Sequence, residues 1–191
     1  MPAENTLATI RIAELATTAN SPSAGTSTDP GNPPQRREPL QIGVPAPEWL
    51  VKSWSDGKSR RLADYRGKVV VLDFWGVWCS PCINAIPAMK SLADQYEPRG
   101  VVFLGIHTAD GDMHQINKLK KSMGWDTPTG IDKGTSITDS KTADAYGVTG
   151  FPGIVIIDTE GDVAFHTGIL PKDMKVFMAG MEQLAKANDI A

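Results

Sequence analysis

The pentapeptide Trp78-Cys79-Ser80-Pro81-Cys82 constrains this chain more than any other stretch. It follows a nearly unbroken apolar run, Val69-Val70-Val71-Leu72-Asp73-Phe74-Trp75, and precedes a segment with helical spacing of apolar residues. A run so uniformly apolar predicts a central parallel strand covered on both faces. The chain has 2 cysteines, and both sit where that strand gives way to the helix. A thiol at a helix N-terminus meets unpaired N–H groups and the positive end of the helix dipole, which favours its thiolate. A second thiol three residues on lies within one turn, close enough to close a disulfide. This is the outline of a dithiol redox site.

A length of 191 residues suits one domain with appendages. The net charge of −3, with no dense run of Lys and Arg, excludes a nucleic-acid footprint. The densest basic cluster, Lys118, Lys120 and Lys121, reads as a solvated helix face. No run is long and apolar enough to span a bilayer. Met1-Pro2-Ala3-Glu4-Asn5 lacks the basic charge and following apolar stretch of a signal peptide. The expectation is either a cytoplasmic protein or a mature or excised piece of an exported one, and a lone C-x-x-C fits both.

Residues 1–38 are rich in Ser, Thr, Ala, Asn and Pro, and are expected to form a flexible segment or linker. Residues 39–191 are expected to form the single folded domain. Within it, Trp49–Trp54 reads as a first strand, Ser55–Lys58 as a turn, and Leu62–Gly67 as one helical turn. A helix from Ser80 to Glu97 presents Ile83, Ile86, Met89, Ala93 and Tyr96 on one face, with a kink expected at Pro87. Val101–Ile106 reads as a buried strand, Met113–Met123 as a helix with Ile116, Leu119 and Met123 inward, and Thr127–Ile131 as a short strand. Asp139 is placed to cap a helix running to Tyr146 and stopping at Gly147. Ile154–Asp158 and Val163–Thr167 form a hairpin, and Pro171 opens a last helix. That order implies a mixed sheet with helices on both faces.

The residues themselves assign roles at the site. Cys79, at the helix start, is the nucleophile, and Cys82, one turn deeper, resolves the mixed disulfide. Asp73 is the one acid inside the buried strand. Desolvation raises its pKa and suits it to take the proton of Cys82, with a buried carboxyl that merely satisfies a neighbour as the alternative. Ser80 and Pro81, between the thiols, tune the potential. Trp78 flanks the site as an exposed aromatic. His107, at the end of the next strand, is expected to be a solvated loop residue, with contact to the site as the alternative. A zinc half-site is the competing use of the thiols. It needs two further ligands, and His107, His114 and His166 have no paired spacing, so no metal is expected. Trp49, Trp54 and Trp125 read as core or edge packing.

Gly67 to Cys82 resembles the active-site segment of thioredoxin-fold proteins, and Tyr146 to Asp158 resembles the segment that carries that fold's cis-proline. Ile42-Gly43-Val44-Pro45-Ala46-Pro47, with Asp56-Gly57-Lys58 and Leu62, is similar to the N-terminal part of the TlpA/ResA-type branch, which is related to the AhpC/TSA peroxiredoxins. The resemblance implies an α/β fold, a thioredoxin-like three-layer α/β/α sandwich with a mixed central sheet. It makes Pro152 a cis-proline beside Cys79. Phe151 becomes the residue whose backbone pairs with a substrate peptide, with a purely structural core aromatic as the alternative. It implies a thiol–disulfide oxidoreductase with no cofactor beyond the Cys79–Cys82 disulfide, acting as a reductant on protein disulfides, drawing on an upstream thiol electron donor, and working as a monomer. By resemblance its place is periplasmic or otherwise extracytoplasmic, with the cytoplasm as the alternative. A binding module that uses the thiols for metal or the groove for a peptide is the rival reading. A peroxidase is disfavoured, because Gly76 and Leu72 stand where peroxiredoxins carry Thr or Ser and Pro. Three departures from the branch bear on substrate and potential rather than fold: Ala85 in place of a frequent Glu, Phe151 before the proline, and Gly153 after it.

Overall fold

The computed structural model describes residues 40–167 and Glu182; the expected N-terminal linker and last helix lie outside the described residues. The strands are β1 (Val51–Trp54), β2 (Val70–Trp75), β3 (Val102–His107), β4 (Thr129–Asp132), β5 (Gly134–Ser136), β6 (Asp139–Ser140), β7 (Gly153–Ile157) and β8 (Val163–Thr167). The helices are α1 (Ser80–Tyr96), α2 (Met113–Met123) and α3 (Lys141–Ala145), with a 3₁₀ turn at Leu62–Tyr65. Six strands form one sheet in the order β1-β4-β3-β2-β7-β8. The pairs β2–β3 and β3–β4 are parallel, whereas β2–β7, β7–β8 and β1–β4 are antiparallel. This is the mixed α/β sheet expected.

All six residues of β2 are buried, because both faces of the strand are covered. Val71 packs with Met89, Leu92, Ala93 and Tyr96 of α1 on one face. Val70, Leu72 and Phe74 pack on the other with Ala143 of α3, Tyr146 and Trp49. Strand alternation therefore puts Asp73 and Trp75 on the same face as Val71, beneath α1. The parallel register sets Trp75 opposite His107, so the carboxyl ends of β2 and β3 end at one edge of the sheet. In α/β sheets that edge is where sites are built.

Several local expectations change. Pro87 lies inside the helix, whose buried face runs Cys82, Ile86, Met89, Leu92, Ala93 and Tyr96, with Ile83 half-buried rather than inward. Lys120 is not on a solvated face. It is 7% exposed, its Nζ donates to Thr127 O and to Ser55 Oγ, and burial lowers its pKa to about 8. Its long apolar stem lets it lie across the core side of α2. Asp139 does not cap α3. It sits in β6 and pairs with Lys141, while Asp132, at the end of β4, accepts the N–H groups of Thr142 and Ala143. Capping needs an acceptor near the helix N-terminus in space, which a distant residue in sequence supplies here. The β5–β6 hairpin was not expected, because its polar residues carry no period-2 pattern. It depends on Gly134, at φ +125°, where a Cβ would overlap the Asp139 carbonyl.

Candidate active site

The two sulfurs form a disulfide between Cys79 and Cys82, across the first turn of α1. Cys79 is the N-cap of that helix in extended conformation, and its Sγ accepts the Cys82 N–H at 3.2 Å. Pro81 occupies the first turn, where its missing N–H costs no hydrogen bond. A thiolate on Cys79 is stabilised by that N–H and by the helix dipole. Both cysteines are almost fully buried, so burial does not separate their roles; the capping position does.

Asp73 lies on the α1 face of β2, 8% exposed. It lines a crevice with Val71, Met89, Phe103, Leu104, Trp125 and Thr127 that is too narrow for a water molecule. Burial alone pushes its pKa up to about 7. At neutral pH such a carboxyl lies between its two forms, and neither cysteine lines the crevice that it faces.

The outer wall is aromatic. Trp78 is 45% exposed and meets the half-buried Phe151 edge-on, ring centroids 5.6 Å apart. The Phe151–Pro152 peptide bond is cis. The structure therefore gathers Trp78, Cys79, Phe151 and Cys82 at one end of the sheet, since Phe151 also packs against the cluster of Trp75, Cys79 and Cys82. Pro152 precedes β7, whose first residue, Gly153, is held against Val148 and the Gly150 carbonyl; a Cβ there would fall 3.0 Å from Val148 Cγ1. Gly76 has a similar cause. A Cβ would sit 2.6 Å from the Trp78 indole nitrogen, so the glycine follows from how the Trp78 ring folds back over the loop.

His107 departs from expectation. It is fully buried rather than solvated. Its Nε2 accepts the Val77 N–H at 2.9 Å, and its ring stands edge-on to Trp75 at 5.1 Å. Next to it, Thr108 Oγ1 accepts the Trp78 indole N–H at 3.3 Å and donates to Asp110 at 2.6 Å. Sequence reasoning held contact of His107 with the site only as the alternative, and missed Thr108. The available signal was the register, since His107 ends a strand parallel to the one that delivers Cys79. His166 lies away from the thiols on β8, bonded to the Tyr146 carbonyl. Trp49, Trp54 and Trp125 are buried as expected. Among the described residues, no group of three His, Cys, Asp or Glu converges to hold a metal.

Comparison with known proteins agrees with this geometry. The AhpC/TSA family model matches residues 42–166. The thiol-disulfide oxidoreductase ResA of Geobacillus thermodenitrificans is 33% identical over 135 residues, covering 70% of this chain and 74% of that protein. The ResA of Bacillus thuringiensis strain Al Hakam is 35% identical over 127 residues, covering 66% and 69%. Among solved structures, a thiol:disulfide interchange protein of the thioredoxin family from Chlorobium tepidum TLS superposes with a TM-score of 0.62 at 24% identity, over 77% of this chain and 99% of that one. At that identity the likeness establishes the thioredoxin fold.

Proposed function

The chain belongs to the AhpC/TSA family and, within it, to the ResA-type thiol–disulfide oxidoreductases, and from that membership we propose that it works as a reductant of protein disulfides. The observation that carries the reading is the Cys79–Cys82 pair at the start of α1, with Cys79 Sγ on the Cys82 N–H and Asp73 buried in the strand that leads to the pair.

The reaction begins with the reduced pair. Cys79 thiolate attacks one sulfur of the substrate disulfide, forming a mixed disulfide and expelling the other substrate sulfur as thiolate. Cys82 then loses its proton to the Asp73 carboxylate and attacks Cys79 Sγ. The Cys79–Cys82 disulfide forms, and the substrate leaves with both sulfurs reduced. Two electrons have moved from the pair to the substrate, and an upstream dithiol donor restores them by the same exchange in reverse. Trp78 and Phe151 form the face against which the substrate peptide rests, and Pro152 shapes the backbone there. Ser80 and Pro81 fix the spacing of the sulfurs and so tune the potential. Gly76 and Leu72 weigh against the peroxidase chemistry found elsewhere in the family, since the hydroxyl and proline of that site are absent from these positions.

Direction is tested by equilibrating the pair against a glutathione or dithiothreitol buffer. A reductant has a potential near the roughly −270 mV of thioredoxin. A value near the about −120 mV of DsbA would make this chain an oxidant and overturn the proposed direction.

We also propose that the domain works outside the cytoplasm, in keeping with its TlpA/ResA-type resemblance and with the places where protein disulfides persist. No helix among the described residues is long and apolar enough to cross a membrane. In intact cells making the product of the whole gene, a membrane-impermeant maleimide should label Cys79 after mild reduction. Labelling only after lysis would place the domain in the cytoplasm.

A further inference from the structure

His107 is the last residue of β3, and its imidazole is enclosed on every side that the structure describes. Trp75 meets it edge-on. Gly111 closes over it so tightly that a Cβ there would sit 2.6 Å from Nδ1. The ring makes three polar contacts; Thr108 Oγ1, which donates to Asp110, lies 3.4 Å from Nδ1, and the other two fix the ring's chemical form. Val77 N–H is a donor 2.9 Å from Nε2, so Nε2 must offer a lone pair. Nδ1 lies 2.9 Å from the Thr108 carbonyl, an acceptor, so Nδ1 must carry the proton. Both contacts hold together only in the neutral Nδ1–H tautomer. Burial depresses the basicity of the ring and keeps it in that form.

The group that this imidazole holds is two residues from the nucleophile. Between Trp75 and Cys79 the chain turns tightly, with Cys79 N–H donating to Gly76 O at 3.0 Å. Thr108 N–H reaches back to Trp75 O at 3.2 Å, and Thr108 Oγ1 holds the Trp78 indole. The end of β3 thus grips the loop from Trp75 to Trp78 at three points, and His107 supplies the grip on Val77. An unpartnered buried N–H is costly, so loss of the acceptor forces the loop to move or take in water.

We infer that His107 is a positioning residue. By accepting the Val77 N–H it holds the Gly76–Cys79 loop in place, and so keeps Cys79 Sγ on the first turn of α1, where its thiolate is favoured. The inference rests on the dithiol reading above only where Cys79 reactivity is the readout.

In the reduced protein, His107→Leu is expected to raise the Cys79 thiol pKa, and to slow Cys79 alkylation at neutral pH about tenfold through the smaller thiolate fraction. His107→Gln, whose amide oxygen accepts a hydrogen bond, should recover most of that loss. A folded His107→Leu protein with the parent's thiol pKa and alkylation rate would overturn the inference, as would equal loss in the Leu and Gln variants. The imidazole nitrogen chemical shifts of the unmodified protein give a test that does not depend on any variant folding. They should report the neutral Nδ1–H tautomer in both the oxidised and reduced states. An Nε2–H tautomer or an imidazolium at neutral pH would refute the contact with Val77. Neither measurement involves disulfide turnover, so failure to reduce protein disulfides would strike the proposed function and leave this inference standing.

Discussion

Cys79→Ser is expected to reduce the rate of protein-disulfide reduction, measured with insulin, to that of uncatalysed exchange. Cys82→Ser should keep the first attack but not the second, and should accumulate a mixed disulfide between Cys79 and the substrate. The difference follows from the helix. Cys79 caps α1 and its sulfur already accepts the Cys82 N–H, so a thiolate there is stabilised before any substrate arrives. Cys82 lies inside the first turn, where it cannot take the capping position that Cys79 holds. Its sulfur is paired with the Cys79 sulfur, the atom it attacks in the proposed second step. Non-reducing electrophoresis and mass spectrometry of the trapped adduct check both variants. Parent-like activity in Cys79→Ser, or adducts on Cys82 in that variant, would reverse the roles.

Replacing Asp73 with Asn should have two effects of opposite sign, on the reaction and on stability. The carboxyl has a pKa near 3.8 when exposed and about 7 when buried in the fold. Below about pH 4 it is protonated in both states and costs nothing. As pH rises from about 4 to 7, the unfolded chain releases this proton and the folded one retains it, so the parent loses stability through that window. Above pH 7 the full cost of a buried carboxylate remains, roughly 4 kcal/mol as an upper limit at about 1.4 kcal/mol per pKa unit. Asn cannot ionise. Asp73→Asn should therefore match the parent near pH 4 in urea unfolding and exceed it by up to that amount at pH 8. The same change removes the group proposed above to accept the Cys82 proton. The resolving step should slow by about 100-fold at pH 8, the low end of general-base effects. In the parent that step should quicken as pH rises through about 7, and in Asp73→Asn that rise should vanish. A parent-like pH–rate profile in the variant would exclude Asp73 as the base, while a gain in stability without a change in rate would leave it a buried carboxyl with no part in exchange.

These two expectations were accessible before the fold was in view, because they depend on residues close in sequence. Cys79, Cys82 and Asp73 lie within ten positions, on one strand–helix junction whose periodicity is plain. The His107 contact was reached only as an alternative to a solvated loop residue. Nothing around His107 in the sequence distinguishes a buried acceptor from a wet loop side chain, and its partner, Val77, is 30 positions away. Asp132 and Lys120 were misjudged or overlooked for the same reason. The Asp132 carboxylate serves a helix that begins nine positions later, and the Lys120 ammonium is satisfied by a carbonyl and a hydroxyl in loops outside its own helix. A polar side chain's fate depends on what lies within about 3 Å of it, and for these three the partner is brought there by the sheet rather than by the chain.

By itself the sequence determined the pentapeptide from Trp78 to Cys82, the doubly buried strand before it, the helix after it and the acid within that strand. Local physics is sufficient for these: apolar periodicity, the capping preference of a helix start and the cost of burying a charge. The tertiary structure decided what surrounds the two sulfurs. Parallel pairing of β2 with β3 set His107 under Val77, and Thr108 beneath the Trp78 indole. The cis bond before Pro152 and the packing of Phe151 against Trp78 completed the outer wall. Those contacts join segments that the chain keeps far apart, and their register is set by the sheet as a whole.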